Sequence, residues 1–235
     1  MTDDTIVTNQ PDVSNYTHIR TSYQNNGVAG KYDAQRFQTT RGKFLNQRFV
    51  TAVAGALNLA QSSGHKVDSV LDIPCGTGRL FPKILEKGYK LVGSDISRHM
   101  MSVARPKAGP DGNVPMVQCD ATRMPYKTGS FDAITCVRFL TMRVPKEIRS
   151  PIFKEMSRVT KAWVVMECRD KHSWGFIMHW VRAKIFRRSP LVNYFVKDEI
   201  AKELSSSGLE LIRIFRPFGM FSNKWLLLCR TMRSV

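Results

Sequence analysis

The stretch Ser69-Val-Leu-Asp-Ile-Pro-Cys-Gly-Thr-Gly-Arg-Leu80 constrains the fold more than any other part of the chain. Val67, Val70, Leu71 and Ile73 form the β-branched and apolar run of a parallel strand buried on both faces, and that run breaks into a turn at Gly76 and Gly78. Glycine has no Cβ to block a sharp turn or the close approach of a ligand, so a cofactor can lie against the backbone there. A helix is predicted from Arg79 to Lys87, with Pro82 tolerated in its first turn. Its first N–H groups and the positive end of its dipole would face whatever occupies the turn. Strand, glycine turn and helix in that order open an α/β unit of the kind that binds nucleotide-like groups.

The next segments extend the pattern. Lys90 to Ser94 reads as a second strand ending in Asp95, roughly 20 residues past the glycines, where a carboxylate accepts the hydroxyl hydrogens of a ribose. A third strand, Val114 to Cys119, ends in Asp120-Ala121, and a fourth runs from Phe131 to Val137. Counting Asp72, acidic residues mark the carboxyl ends of three successive strands, the edge at which open α/β sheets bind ligands. A nicotinamide dehydrogenase also places glycines and an acid on such a unit. Its third small residue is absent here, because Phe81 stands three positions past Gly78.

Four segments then occur in a familiar order and spacing: Val70-Leu-Asp-Ile-Pro-Cys-Gly-Thr-Gly-Arg79, Gly93-Ser-Asp-Ile-Ser97, Gln118-Cys-Asp-Ala121 with Met124-Pro-Tyr126, and Gly129-Ser-Phe-Asp-Ala-Ile134. In these the chain resembles the class I S-adenosylmethionine-dependent methyltransferases, particularly the small-molecule branch that includes the ubiquinone/menaquinone methyltransferases. The resemblance implies S-adenosyl-L-methionine as cofactor, with Asp72, Cys75, Gly76 and Gly78 cradling its methionine and ribose part. It implies that Asp95 and Ile96 hold the ribose and one adenine face, and that Asp120 with Ala121 meets the adenine edge. It further implies a Rossmann-like, doubly wound, mostly parallel sheet in the order 3-2-1-4-5-7-6, with an N-terminal helical segment over the cofactor. Tyr32, Arg36 and Arg41 are that segment's candidates for the cofactor's carboxylate. The Pro-Gly-Gly turn usual before the fifth strand is replaced by Thr160-Lys161-Ala162, a departure from the quinone subgroup more than from the superfamily.

The remaining chain fits one domain over residues 31–235, preceded by a polar tail over 1–30 expected to be disordered. Helical spacing is predicted from Tyr32 to Gln61, from Ser97 to Lys107, from Pro145 to Arg158 and from Lys197 to Ser207. A fifth strand is expected from Ala162 to Cys168, and a closing hairpin from Leu209–Phe215 and Lys224–Cys229 joined through Phe218-Gly-Met-Phe221. The insertion after the fifth strand has a distinctive composition. Between Lys171 and Lys197 there is no acid, while Arg182, Lys184, Arg187 and Arg188 are interleaved with Trp174, Phe176, Trp180 and Phe186. Wound as a helix, Trp174, Ile177, Met178, Val181 and Ile185 share one face. That face either packs on the sheet or belongs to a lid that rests on an anionic membrane through residues 174–188.

Composition sets the outer bounds. No run reaches the ~18 apolar residues that span a bilayer, and the N-terminus lacks a secretory layout, so a cytoplasmic protein is expected, with peripheral contact at the inner membrane surface as the one addition. The cysteines Cys75, Cys119, Cys136, Cys168 and Cys229 fall in or beside strands with no Cys-x-x-Cys pair, as expected of reduced, buried thiols and not of a metal site. A net charge of +17 attracts polyanions: nucleic acid, anionic lipid or a phosphorylated substrate. Amine-methylating nucleic-acid enzymes carry an Asp/Asn-Pro-Pro-aromatic run after the fourth strand, where this chain has Val137-Arg-Phe-Leu140. A small-molecule or lipid-linked acceptor is therefore the first expectation, nucleic acid the alternative, and a cofactor-binding protein without catalysis the third. Glu167, His99 and His172 are the candidate bases, Arg138 and Arg143 the candidate anchors of an anionic acceptor, and Cys136 either a nucleophile or a small core residue.

Overall fold

The expected apolar runs become the strands β1 (Ser69–Asp72), β2 (Lys90–Asp95), β3 (Met116–Gln118), β4 (Phe131–Cys136), β5 (Thr160–Arg169), β6 (Leu209–Phe215) and β7 (Lys224–Thr231). Between them lie the helices α1 (Thr40–Ser62), α2 (Phe81–Glu86), α3 (Arg98–Ala104), α4 (Lys146–Val159), α5 (Trp174–Ile185) and α6 (Lys197–Ser205), with a 3-10 turn at Arg105–Lys107. This computed structural model describes Thr17, Thr21 and residues 39–109, 112–142, 144–185, 192–219 and 222–233, without the side chains of His179, Arg182, Ala183 and Lys184. The expected tail apart from Thr17 and Thr21, together with Tyr32, Arg36 and Arg143, lies outside the described residues.

The strands form one seven-stranded sheet in the order β3-β2-β1-β4-β5-β7-β6, parallel except where β7 runs antiparallel between β5 and β6. The order reverses direction at β1, which is where ligands enter such sheets. Period-two alternation divides the core between the two faces. Trp163, Val165, Leu226 and Leu228 join Phe49, Val53 and Leu57 of α1 and Phe81 and Ile84 of α2. Val164, Met166 and Leu227 join Phe153 and Met156 of α4 and Ile200 and Leu204 of α6. Helices on both faces explain why β5 is buried without a break from Ala162 to Cys168.

Phe81 shows how the chain departs from a dinucleotide fold. Its ring fills the space over Gly93 of β2, where an added Cβ would meet Phe81 Cζ at 2.6 Å. The small residue needed for close helix–sheet packing is thus on the strand, and the helix supplies the bulk.

At the amino edge of the sheet, Asp132 ties three strands together. Its Oδ2 accepts from the backbone N–H of Ser69 at 2.9 Å and of Asp68 at 3.1 Å and from Ser69 Oγ at 2.7 Å, while Oδ1 pairs with Lys161 Nζ at 2.8 Å. Burial works against the charge, but the bonds from Lys161, Ser69 and Asp68 outweigh it and hold the carboxyl down at about 2. On the far side of the core, Arg149 of α4 grips Glu203 of α6 through Nε–Oε1 at 2.7 Å and Nη2–Oε2 at 2.8 Å.

One element differs from expectation, and another decides between two expected alternatives. α2 begins at Phe81, after a turn over Thr77–Leu80, and is six residues long, so backbone geometry at the turn contributes more than a helix dipole. α5 forms where a helix is predicted, but its apolar face is not packed on the sheet. Trp174, Ile177, Met178, Val181 and Ile185 are all exposed, reaching 59% at Trp174 and 68% at Ile185.

Candidate cofactor and acceptor site

The turn after β1 is fastened to β2 before it reaches the glycines. The backbone N–H of Cys75 donates to the carbonyl of Ser94 at 2.8 Å, and that of Gly76 donates to Asp95 Oδ2 at 2.8 Å. Gly76 has φ +54°, the left-handed region open to glycine, and no described atom lies within 4 Å of where its Cβ would be. Gly78, at φ +71°, has a different role: a Cβ there would meet Ala104 Cβ of α3 at 2.9 Å. One glycine leaves room beside the backbone, and the other lets a helix pack against it.

Three carboxylates stand at the carboxyl ends of β1, β2 and β3. Asp72 ends β1, buried, with Thr135 Oγ1 of the neighbouring β4 donating to its Oδ1 at 2.7 Å. Burial pushes its carboxyl up to about 7; the Thr135 bond opposes and the nearby Asp95 charge adds. Asp95 ends β2, and besides Gly76 it accepts from the N–H of Ser97 at 2.8 Å. Burial raises this carboxyl too, against the bonds from Ser97 and Gly76. Among the described residues neither Asp72 nor Asp95 makes an ion pair. Asp120 follows β3 and closes an Asx turn onto the N–H and hydroxyl of Thr122. Ile96 and Ala121 are half-buried beside their acids. Two buried carboxylates that make no ion pair among the described residues, next to a space that a methyl group would begin to fill, fit a ligand with ribose hydroxyls and positive charge.

The other candidates separate. Cys136 is fully buried, and burial first, then the Asp72 and Glu167 charges, pushes its thiol far above the ordinary range, as a core residue requires and a nucleophile does not. His172 is exposed, and Arg41 lies exposed in the first turn of α1. His99 is half-buried in α3. Arg138, with φ +67° just past β4, and the buried Glu167 near the end of β5 share the carboxyl edge of the sheet. Sequence reasoning missed Lys224, Arg169 and the stacked Phe49 and Phe218. The antiparallel return of β7 brings its first residue to the edge where β5 ends, a consequence of the expected strand order that the hairpin itself signals.

Residues 70–162 match the methyltransferase domain family. The ubiquinone/menaquinone biosynthesis C-methyltransferase of Cellvibrio japonicus is 32% identical over 141 residues, 57% of this chain and 52% of that protein. The demethylmenaquinone methyltransferase of Deinococcus radiodurans is 38% identical over 80 residues, a third (33%) of each. Among solved structures, magnesium protoporphyrin IX methyltransferase from Synechocystis PCC 6803, with bound S-adenosylhomocysteine, superposes with a TM-score of 0.74 at 17% identity, over 92% of this chain and 99% of that one. Over residues 70–162 the chain is thus similar to the methyltransferase domain, and it shares its fold with a solved methyltransferase. The methyltransferase domain covers the cofactor half of the sheet, and the chain spans from a third to about half of the length of these two quinone-pathway relatives (33% and 52%).

Proposed function

We propose that the protein is an S-adenosylmethionine-dependent methyltransferase acting on a small-molecule or lipid-linked acceptor. The arrangement that carries this reading is the open backbone at Gly76, bonded to Asp95, with Asp72 and Asp120 at the ends of the strands on either side of β2. In this assignment Asp95 and Ile96 hold the ribose and one adenine face, Asp120 and Ala121 meet the adenine edge, and Asp72, Cys75, Gly76 and Gly78 hold the methionine part. The cofactor supplies a methyl group already activated on sulfonium. The protein's task is to hold the acceptor in line and exclude water. Calorimetric titration with S-adenosylhomocysteine tests the reading. Asp95→Ala is expected to lower affinity by about a hundredfold, as the loss of charged hydrogen bonds implies. Full binding by that variant refutes the assignment.

For the acceptor, the missing amine-gripping run after β4 and the quinone-pathway relatives support a small or lipid-linked compound over nucleic acid. Labelled methyl donor incubated with cell fractions separates these, and label in RNA overturns the preference. The exposed apolar face of α5 supports docking on an anionic membrane. The sequence sets Arg182, Lys184, Arg187 and Arg188 within and just after that helix with no acid from Lys171 to Lys197, so about 1 kcal/mol per cation gives about 4 kcal/mol of attraction. Trp174→Asp with Ile185→Asp is expected to abolish sedimentation with phosphatidylcholine vesicles containing phosphatidylglycerol at low salt. Wild-type protein that ignores such vesicles refutes the docking.

A further inference from the structure

Where β4 and β5 end and β7 begins, charged side chains crowd together beside a pair of stacked rings. Glu167, 2% exposed, is central to the group. Its Oε1 lies 3.9 Å from Lys224 Nζ, too long for a hydrogen bond, and its Oε2 meets no hydrogen-bond donor among the described residues. Lys224 Nζ stands over the rings of Phe218 and Phe49 at 5.1 and 5.6 Å, and Arg79 covers the Phe49 ring at 4.8 Å. Arg169 is the β5 partner of Lys224; it donates through Nη1 to Asn223 Oδ1 at 3.1 Å, and its buried Nε makes no hydrogen bond among the described residues. Burial pushes the Lys224 ammonium below its ordinary range; Glu167 opposes, and the charges of Arg169, Arg79 and Arg138 add to the depression. Several cations therefore share one neighbourhood with the buried Glu167 carboxylate.

A buried ion pair that serves the fold alone gains by closing its hydrogen bonds, because a charge taken from water with open valences is costly. This one leaves Glu167 Oε2 and Arg169 Nε open, with positive charge in excess, at the edge of the sheet beside the cofactor cradle. We propose that this cluster is an acceptor subsite: Lys224 and Arg169, within the field of Arg138, hold an anionic group of the acceptor, carboxylate or phosphate, and Glu167 accepts a hydrogen bond from an N–H or O–H beside it. The proposal rests on the methyltransferase reading and narrows its acceptor to an acidic compound. Glu167 here is a positioning residue.

The test uses the full chain saturated with S-adenosylhomocysteine, so that the cofactor's own carboxylate is already in place. Inorganic phosphate and benzoate are titrated separately while backbone amide shifts are followed by NMR. Saturable shifts at Glu167, Arg169 and Lys224 are expected with at least one probe, and the probe that binds names the anion class. Lys224→Met should weaken that binding about tenfold, the scale of one charge-assisted hydrogen bond. Arg169→Lys keeps the charge without the planar fork and should weaken it less, which guards against a misfolded first variant. Arg230→Met, which removes a β7 cation paired with Glu210, should change nothing. Absence of saturable shifts, or equal binding by Lys224→Met, overturns the subsite. So does a loss of S-adenosylhomocysteine affinity in Lys224→Met with anion binding intact, which assigns the cations to the cofactor. Should the wild type not bind S-adenosylhomocysteine, the cofactor reading fails by itself, and the same titrations without it still decide the cluster.

Discussion

Asp72→Asn should make the protein more stable while weakening its cofactor site, and the gain should grow with pH. Asp72 is 2% exposed, and its carboxyl titrates at about 7 in the folded chain against 3.8 ordinarily. A raised carboxyl means that the folded state holds its proton more tightly than the unfolded state. The associated stability is fully present below pH 3.8 and is lost as pH rises through about 7. The interval corresponds to about 4 kcal/mol at about 1.4 kcal/mol per pH unit, of which roughly 2.5 kcal/mol disappears between pH 5 and 8. Asparagine carries no charge to desolvate and can still accept from Thr135 Oγ1. Urea unfolding of both proteins at pH 5, 6, 7 and 8 isolates the effect, because every other titrating group is common to both. The stability difference should shift in favour of Asp72→Asn by roughly 2.5 kcal/mol across that range. Parallel pH profiles refute the reasoning. A cationic ligand beside Asp72 favours its charged form, so wild-type affinity for S-adenosylmethionine should rise with pH and level off above 7.

Gly76→Ala and Gly78→Ala should part company: the first costs about 1 kcal/mol of stability for its positive φ yet sharply lowers S-adenosylhomocysteine affinity, whereas the second, colliding with Ala104, costs about 3 kcal/mol. Chemical denaturation alongside calorimetry distinguishes them. Cys136→Ala should leave S-adenosylhomocysteine affinity and methyl transfer intact at a cost of about 1 kcal/mol, measured with the labelled donor; lost transfer in a folded, cofactor-binding variant would restore Cys136 as a nucleophile. Arg149→Met strands the Glu203 carboxylate and should cost about 3 kcal/mol in urea unfolding, with cofactor binding unchanged.

The first strands and their turns were legible because each has a local signature. A strand buried on both faces reads as a continuous apolar run, a positive φ reads as glycine, and a carboxylate at a strand end reads as Asp72, Asp95 or Asp120. The strand order followed from resemblance, and pairing bears it out. The acceptor half left fewer traces. Glu167, Arg169 and Lys224 come together only because β7 returns antiparallel beside β5, a contact between residues more than fifty positions apart in the chain. Phe49 is buried in α1, but nothing in its helical spacing reveals that Phe218 stacks on it. For α5 the spacing groups the residues that the structure shows exposed, while leaving open whether that face packs on the sheet. An apolar stripe says which residues share a face, and Trp174 through Ile185 show that it does not say what covers that face.

Asp132 sits at the opposite end of the strands from all of this, and its position gives the sheet a mechanical polarity. The amino ends of β1, β4 and β5 are clasped by one fully engaged carboxylate, so the three strands are held in register without help from any ligand. Their other ends are then free to carry groups that a self-sufficient fold would not tolerate, including protonatable Asp72 and Glu167, whose Oε2 meets no donor among the described residues. Under the proposed acceptor subsite, exchanging Arg169 or Lys224 would change the compound received, while the clasp keeps the framework from slipping.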